Sequence, residues 1–303
     1  MNSGKIKRVW QRVDGVLLLD KPLGLTSNTA LQKVRRLFSA AKAGHTGTLD
    51  PLATGLLPLC FGEATKFSAD LLDADKVYEA DLLFGVTTDT GDAEGTVLAK
   101  ADVCFTASEL DQVLGRFRGE ITQIPPMYSA LKRDGKPLYE LARQGVVVER
   151  EPRQVRIHGL DLLEFSGERC RLRVACSKGT YVRTLAEDIG SALGCGAHLT
   201  ALRRTQVGAL TLAGAVSLEQ IEATAESERQ RFLLLPDALL QSLPMIVLDG
   251  EKTRRFTCGN PIDVVAGKLV VEGKCRVYQA DQLLGVGEIT ADGKLSPRRL
   301  VCS

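Results

Sequence analysis

The spacing of apolar positions changes several times along this chain, and each change marks an element. Residues 16–19 form a short apolar run closed by Asp20-Lys21-Pro22 and Gly24, which predicts a strand and a turn. Ala30, Leu31, Val34, Leu37 and Phe38 then recur at helical spacing behind Thr26 or Ser27 as cap, with Lys33, Arg35 and Arg36 on the opposite face. Residues 57–61 read as a buried strand, 63–72 as a helix and 77–84 as another strand. The acidic, turn-rich stretch 89–95 reads as a surface hairpin or flexible loop. Thr106 and Glu109 make a capping box for a helix whose inward residues are Leu110, Val113, Leu114 and Phe117. Pro125 and Pro126 forbid a helix through the next segment, and 137–144 predicts a short helix stopped by Gly145. Residues 155–165 and 171–177 form an antiparallel hairpin about Ser166-Gly167. Val182, Leu185, Ala186, Ile189 and Leu193 then line one helix face, with Tyr181 and Arg183 at the strand-to-helix junction.

Ser217 and Gln220 open one more helix, and Pro236 and Pro244 frame a connector. From residue 244 the pattern becomes short β runs at 246–248, 269–271, 275–279 and 283–289 between Gly and Asp turns. Hairpin connections, rather than βαβ crossovers, predict an α+β fold on a mixed or antiparallel sheet. The expected domains are a basic arm over 1–13, a main domain over 14–243 and a small β domain over 244–303.

The stretch 44–66, GHTGTLDPLATGLLPLCFGEATK, concentrates candidate chemistry. Gly44, Gly47 and Gly55 free the backbone, and Pro51 biases Asp50 away from helix, so Asp50 belongs at a defined bend. The same residues also describe a helix start, with Asp50 as N-cap and Pro51 in the first helical position. Spacing alone leaves both readings open.

Composition narrows the classes. Thirty-nine Lys and Arg against 37 Asp and Glu give a net charge of +2, so any nucleic-acid site must be a local basic patch. The eight cysteines form no C-x-x-C pair and the three histidines are isolated, which argues against a zinc site and suits reduced thiols in a cytoplasmic protein. The N-terminus has no apolar signal region and no run reaches membrane-span length. Glycine spacing fits neither a dinucleotide fingerprint nor a P-loop. With no heptad or edge-strand signal, a monomer is expected.

The whole 44–66 string resembles the signature of the bacterial tRNA pseudouridine-55 synthase family, TruB type. GVLLLDKPLGLTSN (15–28), KVYEADLLFGVTTDTGDAEG (76–95), IPPMYSALKRDGKPLYELAR (124–143) and CSKGTYVRTLAEDIG (176–190) follow in the family's order. The resemblance implies a pseudouridine-synthase fold with a C-terminal PUA-like RNA-binding domain, and isomerisation of uridine 55 in the tRNA T-arm by base flipping, with no cofactor and no metal. It implies Asp50 as the catalytic carboxylate, Arg183 as its cationic partner, and Tyr78 stacking on the flipped base. It further implies Tyr181, Leu202 and Lys21 at the pocket, and His45 inserted where the target base was stacked. Residues 124–136 would close on the T-loop. For the RNA backbone the candidates are Lys132, Arg133, Arg203 and Arg204. The alternative is an RNA-binding or tRNA-folding protein with secondary or no isomerase activity, which would not need the set Asp50, Tyr78, Tyr181 and Arg183.

Overall fold

A computed structural model describes residues 9–263 and 272–301. The expected strand at 269–271 and the arm residues Lys5, Lys7 and Arg8 lie outside the described residues.

The main sheet is built from β1 (Gly15–Lys21), β2 (Ala53–Phe61), β3 (Lys76–Phe84), β4 (Gly119–Gln123), β5 (Arg153–Phe165), β6 (Arg169–Cys176) and β7 (Ala197–Val207). Its order is β1-β2-β7-β3-β6-β5-β4, with the short strand Val216–Ser217 beside β1. The β2 and β7 strands are parallel and the other long neighbours antiparallel, so the sheet is mixed. Five α-helices of the main domain bear on the argument: α1 (Ser27–Leu37), α2 (Ala107–Arg116), α3 (Leu138–Arg143), α4 (Val182–Ala192) and α5 (Leu218–Ala223).

Both faces of the sheet are covered, which explains why β1 and β2 read as continuous apolar runs rather than alternating ones. Leu17, Leu19, Leu57 and Leu59 face a core that includes Ala30, Leu31 and Val34 of α1 and Leu185 and Ile189 of α4. Val16, Leu18, Leu56 and Cys60 face a second core with Phe67, Leu71, Leu239 and Leu240.

The C-terminal sheet joins β8 (Met245–Val247), β9 (Gly273–Gln279), β10 (Gln282–Ile289), β11 (Lys294–Leu300) and the short strand Ile262–Asp263, with a helix at Gly250–Thr257. Val286 of β10 enters the second core, so this module packs on the back of the main sheet. Tyr278 donates to Asp237 Oδ2 at 2.6 Å and Arg299 to the Lys66 carbonyl at 2.6 Å across that contact.

Four expectations change. No helix starts at Asp50: a bend at 51–52 leads into β2, which starts at Ala53 rather than at 57. Tertiary pairing decides this, because Gly55 holds φ +97° and a Cβ there would stand 2.3 Å from the Arg204 carbonyl of β7. The helix expected over 63–72 divides into a 3-10 turn, Gly62–Phe67, and a short α-helix, Ser68–Leu72. Arg203 and Arg204, expected to meet the RNA backbone, lie inside β7, one of the long strands of the main sheet. The 89–95 loop is not wholly superficial: Asp92 is buried, because the loop docks on β7 through Ala93 N–H to Leu199 O and Leu199 N–H to Gly91 O.

Candidate active site

Three segments bring the chemistry together. The loop before β2 carries Asp50, and α1 pins it: the buried Ser27 hydroxyl donates to Leu49 O at 3.0 Å and accepts from Leu49 N–H at 2.7 Å. Thr26, not Ser27, caps α1, which leaves Ser27 free for this clamp. The start of α4 carries Tyr181 and Arg183, and buried Gln123 of β4 holds Tyr181 by both its N–H (3.1 Å) and its carbonyl (3.2 Å). Adjacent sheet strands supply Tyr78 and Leu202.

Arg183 is 7% exposed and lies between two carboxylates, with Nη2 3.1 Å from Asp50 Oδ2 and Nη1 3.5 Å from Asp92 Oδ2. It also donates to Thr90 O at 3.1 Å and to Tyr128 O at 2.6 Å, so the 124–136 segment is tied to the same guanidinium. Asp92 is held in turn by Thr90 Oγ1 at 2.6 Å and Glu94 N–H at 3.1 Å. The Asp50 side chain remains 42% exposed towards the cleft. Burial raises the Asp50 carboxyl above its ordinary range; Arg183 and Lys21 oppose that shift and Asp92 adds to it.

Asp50 and Arg183 line two neighbouring cavities. The smaller, about 340 Å³, is walled by Tyr78, Tyr181, Leu202 and Ser129. The larger, about 510 Å³, is walled by His45, Asn28, Asp92, Glu94, Tyr128 and Arg143 among others. Among the described residues no group of three or more His, Cys, Asp or Glu is placed to hold a metal ion. A carboxylate braced by a buried cation, open to an aromatic-walled cavity, suits attack on, or charge stabilisation of, a planar ring and its attached sugar.

Family models match the chain from residue 35 to residue 301, which carries Asp50, Tyr78, Tyr181, Arg183 and Leu202. Residues 35–182 match the TruB family pseudouridylate synthase N-terminal domain, 183–245 the tRNA pseudouridylate synthase B C-terminal domain, and 244–301 the pseudouridine synthase II TruB C-terminal domain. The tRNA pseudouridine synthase B of Dechloromonas aromatica is 64% identical over 98% of both chains, and that of Pseudomonas putida 55% identical over 99% of both. The chain belongs to the TruB family. Among solved structures it is similar to a chain of a Cbf5-Nop10-Gar1 complex, with a TM-score of 0.72 and 25% identity over 95% of this chain and 84% of that one. A chain of an H/ACA RNP bound to a substrate RNA gives the same TM-score at 23% identity, over 95% of this chain and 85% of that one. The fold is that of the pseudouridine synthases, α+β with a PUA-like β module at the C-terminus.

Within this TruB-family fold the structure brings Asp50, Arg183, Tyr78, Tyr181 and Leu202 around one cavity. His45 stands at the neighbouring one, on the short strand Ala43–His45. Its Nδ1 is buried without a hydrogen-bond partner, and burial together with the Arg204 charge lowers its pKa, which favours the neutral ring. Lys21 departs from its expected place at the pocket. It is fully buried, donates to Pro22 O (3.0 Å) and Leu25 O (2.6 Å), and lines neither cavity, so it acts on Asp50 through its field. Burial brings its own pKa down to about 8.

Of the RNA-backbone candidates, Arg204 is overturned: it is 1% exposed and cannot meet a phosphate. Arg203 is engaged by Asp20 Oδ2 at 2.6 Å. Lys132 and Arg133 are exposed on a two-stranded hairpin, where Arg133 donates to Glu149 O at 2.8 Å. Asp92 and Gln123 were missed. Asp92 sat in an acidic run with the composition of a solvated loop, and Gln123 carried no sequence signal.

Proposed function

We propose that this protein isomerises uridine 55 of tRNA to pseudouridine, with the target base flipped into the smaller cavity. The observation that carries this reading is Asp50 Oδ2 at 3.1 Å from buried Arg183, on the wall of a cavity otherwise formed by Tyr78, Tyr181 and Leu202. Isomerisation breaks the C1′–N1 bond, turns the uracil, forms C1′–C5 and releases the C5 hydrogen as a proton. In this reading Asp50 is the nucleophile or catalytic carboxylate, and Arg183 and Lys21 favour its charged form against the effect of burial. The aromatic and aliphatic walls keep the detached uracil in place while it turns. Extruding a base costs a few kcal/mol of stacking, and a neutral His45 ring inserted into the vacated stack would recover part of that cost.

The T-arm stem-loop is the part of the tRNA that this reading places on the protein, with Lys132 and Arg133 near its backbone. The protein would work as a monomer in the cytoplasm, with the catalytic domain over 14–243 and the RNA-binding PUA-like domain over 244–303. The test is tritium release from a T-arm stem-loop labelled at uridine C5, and from full-length tRNA. Release by the intact protein and none by Asp50→Asn, with RNA binding retained, is the expected result. Binding without release from either protein would return the chain to the RNA-binding alternative.

A further inference from the structure

The cleft floor contains a buried cation that the reaction scheme above leaves unused. In the antiparallel pairing of β3 with β7, Tyr78 stands directly opposite Arg204, and Ala80 opposite Leu202. Directly opposed residues share a face of the sheet with Cβ atoms about 5 Å apart. Arg204 therefore extends the same face that carries Tyr78 and Leu202, one step beneath the smaller cavity.

Its guanidinium is sealed there and committed to the catalytic loop. Nε donates to Leu56 O of β2 at 2.8 Å, and Nη1 reaches Thr48 O, two residues before Asp50, at 3.4 Å. A Cβ on Gly47 would lie 3.9 Å from Nη1, so the loop runs directly over the charge. Among the described residues no carboxylate pairs with Arg204, and Nη2 is buried without a hydrogen-bond partner. A full positive charge kept out of water, with one donor unspent, is costly unless something nearby makes use of it.

We infer that Arg204 is a positioning residue of the isomerisation: it ties the Tyr78 phenol and the Asp50 loop to one fixed charge, and acts through them rather than on RNA. The inference rests on the reading that Asp50 and Tyr78 serve the flipped base. The electrostatics agree with the geometry. Burial raises the Tyr78 phenol, and Arg204 is the strongest influence opposing it; Cys176 of β6 and Asp50 of the loop also face Tyr78, and both push it upward. Loss of Arg204 would leave Tyr78 a weaker acid and the Thr48 carbonyl without its donor, while the RNA surface stays as it is.

The test reads the phenol directly. With 3-fluorotyrosine built in at position 78, whose phenol is intrinsically more acidic, the ¹⁹F resonance is titrated in the full-length protein with Arg204 intact and in Arg204→Gln. Removing the cation that most opposes the effect of burial should move the titration up. Arg204→Lys, which keeps the charge on an unforked head, should recover most of the shift. Single-turnover tritium release at saturating protein should fall about tenfold or more in Arg204→Gln, with stem-loop affinity held to within about twofold. An unmoved titration in Arg204→Gln overturns the inference whatever the activity does. If Arg204→Gln does not fold, Arg204→Met, which also removes the charge while keeping an apolar stem, decides by the same titration, and an unmoved resonance there overturns the inference. Full activity in Tyr78→Phe would instead sink the role of Tyr78 and leave the measured hold of Arg204 standing.

Discussion

Replacing Asp92 with asparagine changes one charge in the Asp50–Arg183–Asp92 group and little of its shape. The two carboxylates contact different nitrogens of one guanidinium, at 3.1 and 3.5 Å. At an effective dielectric of about 20, like charges bridged by one guanidinium, roughly 6–9 Å apart, repel by about 2 kcal/mol. Asp50 is 42% exposed on its side chain, and solvent screening reduces this to about 1 kcal/mol. The sign follows from the direction of the effect: Asp92 raises the Asp50 pKa, so Asp92→Asn lowers it. The acid limb of the single-turnover rate should move to lower pH. The plateau should drop about tenfold or more, because Arg183, freed from one acceptor, is drawn onto Asp50 and blunts it as a nucleophile. Tritium release between about pH 4 and 8, at constant ionic strength and saturating protein, measures both. An acid limb that stays put or rises in Asp92→Asn would falsify this electrostatic account.

The same titration on Lys21→Met should move the acid limb the opposite way, because the buried ammonium lowers the Asp50 pKa and its loss raises it. Asp50→Asn should raise Tm at neutral pH. A carboxyl whose folded pKa lies above its unfolded value loses stability as pH rises from the unfolded to the folded pKa, so the gain should vanish on acidification through that window, as read by thermal unfolding across pH. Gly55→Ala should cost about 3 kcal/mol or more, since it joins a φ of +97° to a Cβ 2.3 Å from a backbone oxygen, and a Tm within about 2 °C of wild type would contradict that.

Elements whose signals are local are legible in the sequence. The Thr106–Glu109 capping box opens α2, Ser217–Gln220 opens α5, and Gly145, at φ +72°, follows the end of α3. Elements settled by partners are not. Asp50-Pro51 describes both a bend and a helix start in isolation, and pairing of the following residues with β1 and β7 as strand decides for the bend. Pro297 likewise disguised β11, which pairs through its register shift beside that residue.

The site divides along the same line. Asp50, Tyr78, Tyr181 and Arg183 were recoverable because each lies in a string long enough to be distinctive, and the fold sets them around one cavity. Asp92 and Arg204 were misread for a common reason. Charged residues in a sequence are by default solvated, and only tertiary structure creates the exception. Asp92 is buried because its loop pairs with Leu199, and Arg204 because β2 crosses it at Gly55. Each such burial costs desolvation free energy, and the protein accepts that cost twice near the cleft: at a carboxylate against Arg183 and at a cation opposite Tyr78 in the sheet. A fold selected for stability alone would have put apolar residues in both places. Arg204 also holds the Asp50 loop through Thr48, and Asp50 acts on Tyr78, so the two charges share partners: the double variant Asp92→Asn with Arg204→Gln should depart from the sum of its single variants, and strict additivity of both titrations would separate the two charges.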